Sequence, residues 1–256
     1  MPFTTDKPAL YFETTGTGTA LLFIPPPGMG HLTFRYQQKL QKTCKIITFD
    51  IRGDCRSERG DQPISMEVLV EDVKRILDIN KIEKAIICGY SNGGSIAQAF
   101  VSDYPERTLG LILIGGYYEV SSFLLKKEYQ IGIWIAKQNW MKILALGLSK
   151  NHFRHQDAGN EMYHEIMNTD SGSLADQYRI GMQQINKQYL DQLSCPLLLI
   201  YGQRDYYIHD YQHLYKSKVN DVEIVYIEKA KHQVPTKYYN ECNAVIMNWM
   251  FNKSLI

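Results

Sequence analysis

The segment Gly89-Tyr90-Ser91-Asn92-Gly93 holds a serine with a glycine two positions away on each side. Before it, Ala85-Ile86-Ile87-Cys88 is a short apolar run of the kind that forms a fully buried strand. After it, Gly94 to Val101 carries apolar side chains at helical spacing. A serine between such a strand and helix sits on a very tight turn. Its flanking glycines are needed there because the two backbones nearly touch. The helix directs its first N–H groups at the serine oxygen, where charge develops during nucleophilic attack. A neutral hydroxyl attacks poorly unless an imidazole takes its proton and a carboxylate fixes that imidazole. Both partners occur just after later apolar runs. Asp205 ends Gly202-Gln203-Arg204-Asp205, following Leu197 to Tyr201, and His232 lies in Lys231-His232-Gln233-Val234-Pro235, following Val222 to Ile227.

Rival residues exist for each role. Asp210 and Glu228 compete with Asp205, which alone lies on the first loop turn after its strand. His31 and His209 compete with His232, which follows the last strand. His152, Arg154 and His155 form a small basic cluster that reads as a solvated face. Acyl transfer also needs two backbone donors for the oxyanion. One is the N–H of Asn92, directly after the serine. The other is expected from Pro25-Pro26-Pro27-Gly28-Met29-Gly30-His31, after the run Leu21 to Ile24. Three prolines supply no N–H, so Gly28 and Met29 are the first donors, with Met29 preferred.

These positions need a scaffold that gathers strand ends. Leu10 to Glu13, Ala20 to Ile24, Lys45 to Phe49, Leu109 to Ile114, Pro196 to Tyr201 and Val222 to Ile227 read as strands beside the one before Ser91. Met66 to Asn80 is an amphipathic helix with Val68, Leu69, Val73, Ile76 and Leu77 on one stripe. A last helix is predicted from about Thr236 to Asn252. Alternating strands and helices specify an α/β fold with a mostly parallel sheet covered on both faces. Ligands of such sheets bind outside the carboxyl ends of the strands. Residues 117–191 break the rhythm with helical segments around Phe123 to Leu148, Gly159 to Met167 and Gly172 to Leu190. They are too long for a crossover. The expected organisation is a core of residues 1–116 and 192–256 with a helical cap over the strand ends.

The bulk numbers narrow the function classes. The 256 residues suit one large domain, and a net charge of +1 suggests neither nucleic acid nor a membrane surface as partner. No apolar stretch approaches a bilayer span, and Met-Pro-Phe-Thr-Thr-Asp lacks a basic-then-apolar leader, so a cytoplasmic protein is expected. The five cysteines are scattered without a Cys-x-x-Cys pair, so neither a disulfide framework nor a metal site is expected. No cofactor is implied.

Together these motifs resemble the α/β-hydrolase-fold serine hydrolases over nearly the whole chain. The family's Gly-x-Ser-x-Gly elbow is matched by Gly89 to Gly93, and its acid and histidine map onto Asp205 and His232. Its Asp-x-Arg-Gly-x-Gly-x-Ser segment resembles Asp50 to Ser57, with Cys55 replacing the second glycine. Its His-Gly oxyanion loop resembles Pro27-Gly28-Met29-Gly30, with Pro27 replacing the histidine. The resemblance implies a serine esterase forming an acyl-Ser91 intermediate on a small-molecule acyl substrate, as a monomer or homodimer. A serine at the elbow separates the chain from relatives that use aspartate there. The alternative is a ligand-sensing or partner-binding protein with slow hydrolysis. Gly28, Tyr117 and Trp134 are the expected substrate-binding residues.

Overall fold

A computed structural model describes residues 2–256. Seven strands form one sheet: β1 (Phe12–Thr15), β2 (Ala20–Ile24), β3 (Lys45–Phe49), β4 (Ala85–Tyr90), β5 (Thr108–Ile114), β6 (Leu197–Gly202) and β7 (Val222–Ile227). Their order is β1-β3-β2-β4-β5-β6-β7, and only the β1–β3 pairing is antiparallel. The inner strands β2, β4 and β6 are buried along their whole length, as continuous apolar runs covered on both faces must be.

Successive residues of each strand enter opposite cores. Leu22, Ile47, Ile87, Leu111 and Leu199 pack on one face with α1 (Met66–Ile79) and α2 (Gly93–Asp103). Leu21, Ile46, Ile86, Ile112 and Leu198 pack on the other, beneath Ile246 and Trp249 of the C-terminal helix. This two-residue alternation fixes the register, since a slip by one residue would exchange the faces. Ser65 caps α1 by accepting the Val68 N–H at 3.3 Å, and the buried stripe includes Leu69, Val73, Ile76 and Leu77.

Between β5 and β6 the chain forms α3 (Phe123–Lys137), α4 (Met141–His152), α5 (Gln156–Met167) and α6 (Ser171–Gln183). They build a core of their own, into which Met29 and Leu32 from the loop after β2 also pack. After β6 come α7 (Gln212–Lys218), α8 (Val234–Lys237) and α9 (Tyr239–Asn252). Among the described residues no helix is long and apolar enough to cross a membrane.

Some boundaries differ from expectation. The first strand starts at Phe12 rather than Leu10. The helix expected over Phe123 to Leu148 is broken, because Asn139 takes φ 54° while the Trp140 N–H reaches back to the Ile135 carbonyl at 3.0 Å. That is a C-terminal cap with asparagine in the left-handed position glycine usually fills. The segment expected to run to Leu190 ends as a helix at Gln183, followed by a 3₁₀ turn over Lys187–Gln192. The last helix is interrupted at Tyr238.

A buried ion pair secures the chain after β3. Arg52 Nε and Nη2 donate to Asp72 Oδ2 and Oδ1 at 2.5 and 2.6 Å. Removing one partner strands a charge in the interior. Asp72→Ala is expected to lower unfolding free energy by about 3–5 kcal/mol, measured by urea denaturation.

Candidate active site

The turn after β4 is tight enough to force a rare backbone. Ser91 takes φ 52°, its N–H donates to the Ile114 carbonyl at 2.9 Å, and its own carbonyl accepts the Gly94 N–H at 2.9 Å. A Cβ on Gly89 would come within 2.5 Å of the Gly94 Cα, and one on Gly93 within 2.6 Å of the Pro25 carbonyl oxygen. Both glycines are therefore required for the elbow to close against β2 and α2. A non-glycine residue at positive φ is strained and is held only by such surroundings.

Asp205 and His232 meet at this end of the sheet. His232 Nδ1 lies 2.6 Å from Asp205 Oδ2. An ionised carboxylate only accepts, so the ring proton sits on Nδ1 and Nε2 is left with its lone pair. Burial opposes the imidazolium, but the Asp205 charge and hydrogen bond outweigh it, with Glu128 adding to them, and the His232 pKa is raised. Asp205 is buried, whereas the rivals Asp210 and Glu228 are exposed. The rival histidines are engaged elsewhere. His31 Nδ1 is 2.7 Å from Asp50 Oδ1, and His209 Nε2 is 2.9 Å from the Gly202 carbonyl. Gly115, at φ 58°, makes room for the ring: a Cβ there would come within 2.7 Å of His232 Cε1. Sequence reasoning passed over this residue, although a Gly-Gly pair directly after a buried strand was its signal.

Ser91, Asn92 and His232 line one cavity of about 320 Å³ under α3, α4 and α6. Tyr117 also lines it. Burial raises the Tyr117 pKa, opposed by the hydrogen bond its hydroxyl shares with Tyr129. Glu128 and Tyr207, which the sequence did not single out, stand on the same wall, with the Tyr207 hydroxyl 3.4 Å from Glu128 Oε2. Desolvation raises the Glu128 pKa against the pull of His232.

Four expectations need correction. Trp134 is absent from the cavity; it is half exposed and packs edge-on against Trp140 with centroids 4.8 Å apart. Gly28 does not line it either: its N–H donates to Asp54 Oδ2 at 2.7 Å, and its face is covered by Leu174. The Met29 N–H, expected to be the second oxyanion donor, donates to the Pro26 carbonyl at 3.2 Å. With prolines at 25–27, the resting loop presents no uncommitted N–H up to Met29, whereas the Asn92 N–H has no backbone acceptor among the described residues. His152 is not on a solvated face. It is buried, with Nε2 3.2 Å from the Tyr90 hydroxyl and Nδ1 2.9 Å from the Leu148 carbonyl, and desolvation pushes its pKa down to about 4.

Asp54 explains the hold on the loop after β2. It also accepts Gln177 Nε2 from α6 at 3.0 Å, so one carboxyl joins that loop to the inserted helices. Its burial pushes its pKa up to about 8, against the hydrogen bonds from Gly28 and Gln177.

A serine on a glycine-flanked elbow, at the carboxyl end of a mostly parallel sheet and sharing a cavity with an acid-anchored histidine, defines a hydrolase-type scaffold. The α/β hydrolase fold family matches residues 20–158, and the chain belongs to that family. The putative carbamate hydrolase RutD of Azorhizobium caulinodans is 32% identical over 116 residues, covering 45% of this chain and 44% of that protein. The match thus spans less than half the length of that relative. A carboxylesterase structure from the thaumarchaeon Nitrososphaera gargenis superposes with TM-score 0.84 at 19% identity, covering 99% of both chains. The enol-lactonase from Burkholderia xenovorans LB400 superposes with TM-score 0.85 at 17% identity, covering 98% of this chain and 100% of the other.

Replacing Asp205 removes the main anion that favours the imidazolium and leaves burial opposed by Glu128 alone. In Asp205→Asn the His232 pKa is expected to fall below the ordinary imidazole value of about 6.5. Titration of the ring by NMR, compared with the unmodified chain, checks this.

Proposed function

We propose that the chain hydrolyses small or medium carboxylic esters through an acyl intermediate on Ser91, with His232 as general base and Asp205 as its anchor. The observation carrying this reading is the convergence in one cavity of a serine held at φ 52° and a histidine fixed 2.6 Å from a buried carboxylate. Ser91 Oγ attacks the acyl carbon while its proton passes to His232 Nε2. The carbonyl oxygen becomes an oxyanion that accepts the Asn92 N–H. The intermediate collapses as the imidazolium protonates the departing alcohol. Water, activated by the same ring, then releases the acid. The neighbouring structures described as a carboxylesterase and an enol-lactonase fit this acyl chemistry.

Residues 117–191 serve in this reading as a cap that selects the substrate. Leu125, Ile135, Leu144 and Leu148 present apolar surface to the cavity, which suits an alkyl or acyl chain. One observation favours a second reading. The committed Met29 N–H leaves one backbone donor for the oxyanion, and losing such a donor costs about 10²–10³ in kcat. A ligand sensor with slow deacylation fits that deficit. Stopped-flow kinetics separates the two: steady turnover supports the esterase, and a stoichiometric burst followed by negligible release supports the sensor.

Ser91→Ala is expected to retain the fold and lower kcat by about 10⁴ or more. A fluorophosphonate probe should label the unmodified chain at Ser91, and unchanged labelling of Ser91→Ala would overturn the assignment. Since the base must be unprotonated and its pKa is raised, kcat/KM should fall with decreasing pH through an apparent pKa above about 6.5. Enlarging Leu144 to Trp should shift preference toward shorter acyl chains while probe labelling survives, measured on an ester series of graded length.

A further inference from the structure

The outer face of the inserted helices is unusually apolar for a surface beside a cavity of this kind. Phe123, Leu124, Ile131, Trp134, Ile143 and Leu146 are all exposed, and all but Leu146 expose more than half their surface. They form a continuous band. Leu124, Ile131 and Trp134 share one stripe of α3, spaced by seven and then three residues. Trp134 meets Trp140, which sits one turn before Ile143 and two before Leu146 on α4. Scattered apolar residues on a surface need no explanation, whereas a contiguous band marks an interaction site.

The band opens onto the candidate active site. Ile131 belongs to it and also lines the cavity that holds Ser91. Its charge has one dominant sign. Residues 123–152 hold five lysines, Lys126, Lys127, Lys137, Lys142 and Lys150, against the single acid Glu128. That is +4 in a chain whose total is +1, which leaves the rest of the molecule at −3. All five lysines are exposed. Lys127 lies over the Phe123 ring, 5.6 Å from its centroid, so charge and apolar surface are interleaved.

We propose that this face docks on an anionic lipid surface, with the apolar band entering the headgroup boundary and the lysines neutralising lipid charge. The band is then the route by which an amphiphilic ester reaches Ser91. This last step rests on the esterase reading; the docking does not. Charge argues against a second copy as the occupant. A two-fold interface apposes a patch to itself, which here would bring two sets of five lysines together. Basic residues beside exposed Trp, Phe and Leu are the composition of helices that lie in a membrane interface. The whole-chain balance of +1 conceals this local bias, which is why a membrane partner was not expected from composition.

Docking is tested with the Ser91→Ala protein, so that turnover plays no part. It should co-sediment with vesicles of phosphatidylglycerol mixed with phosphatidylcholine, far more weakly with pure phosphatidylcholine, and detach as salt rises. Trp fluorescence should shift to the blue on binding, since Trp134 and Trp140 are exposed while Trp249 is buried. Each lysine near such a surface is worth about five-fold in partitioning. The triple variant Lys127→Glu, Lys142→Glu, Lys150→Glu should therefore bind at least about 100-fold more weakly. Trp134→Ser with Ile143→Ser should abolish the blue shift. In the Ser91-intact background, both variants should hydrolyse a soluble short-chain ester at the original rate, which also reports that they fold. No binding to anionic vesicles, or binding undiminished in both variants, overturns the proposal. So does a concentration-dependent dimer that Trp134→Ser with Ile143→Ser dissociates. If the vesicles bind as described but no ester is hydrolysed, the esterase reading fails and the docking stands.

Discussion

The near-contact between the end of β4 and the start of α2 constrains everything at the candidate site. A Cβ on Gly89 would come within 2.5 Å of the Gly94 Cα, so strand and helix meet almost backbone to backbone. Ser91 has no choice but positive φ in the gap. The elbow then lies against the ends of β2 and β5, whose following loops bring Pro26 and Pro27 on one side and Gly115 to Tyr117 on the other. The next strands along, β6 and β7, deliver Asp205 and His232. The strand order thus converts five distant stretches of chain into one cavity, and the parallel direction puts all of them at the same end.

Electrostatics at the site follow from where the dielectric is low. His232 is drawn toward the protonated form by Asp205, whereas His152, with neutral partners only, is held well below the usual imidazole range. The two rings both contact Tyr90, whose hydroxyl is 3.2 Å from His152 Nε2 and 3.2 Å from the His232 carbonyl. The same residue type is therefore shifted in opposite directions by the presence or absence of neighbouring carboxylates.

Most of the scaffold was legible because its signals are local. The buried strands are unbroken apolar runs, and the elbow carries its glycines at fixed spacing. Asp205 and His232 were found by their positions after strands, which the fold then gathers. What escaped depends on side chains meeting across the insertion. The sequence does not reveal that Trp134 points away from the cavity while Ile135 lines it, because the stripe of α3 is apolar on both sides. Nor does it reveal that Pro26 takes the Met29 N–H, a matter of turn geometry. His152 appeared solvated because it neighbours Arg154 and His155 in sequence, yet the last turn of α4 carries it inward.

The packing of Met29 and Leu32 among the side chains of α4, α5 and α6 makes the loop after β2 part of two bodies at once. One end of that loop is rooted in the sheet through Ile24, and its middle is clamped to Gln177 by way of Asp54. The inserted helices consequently cannot swing aside as a free door hinged only at their own two ends. A shift of these helices that widens the entrance therefore also moves the loop after β2, whose Pro26, Pro27 and Met29 line the cavity with Ser91, so access and the shape of the candidate site are mechanically geared.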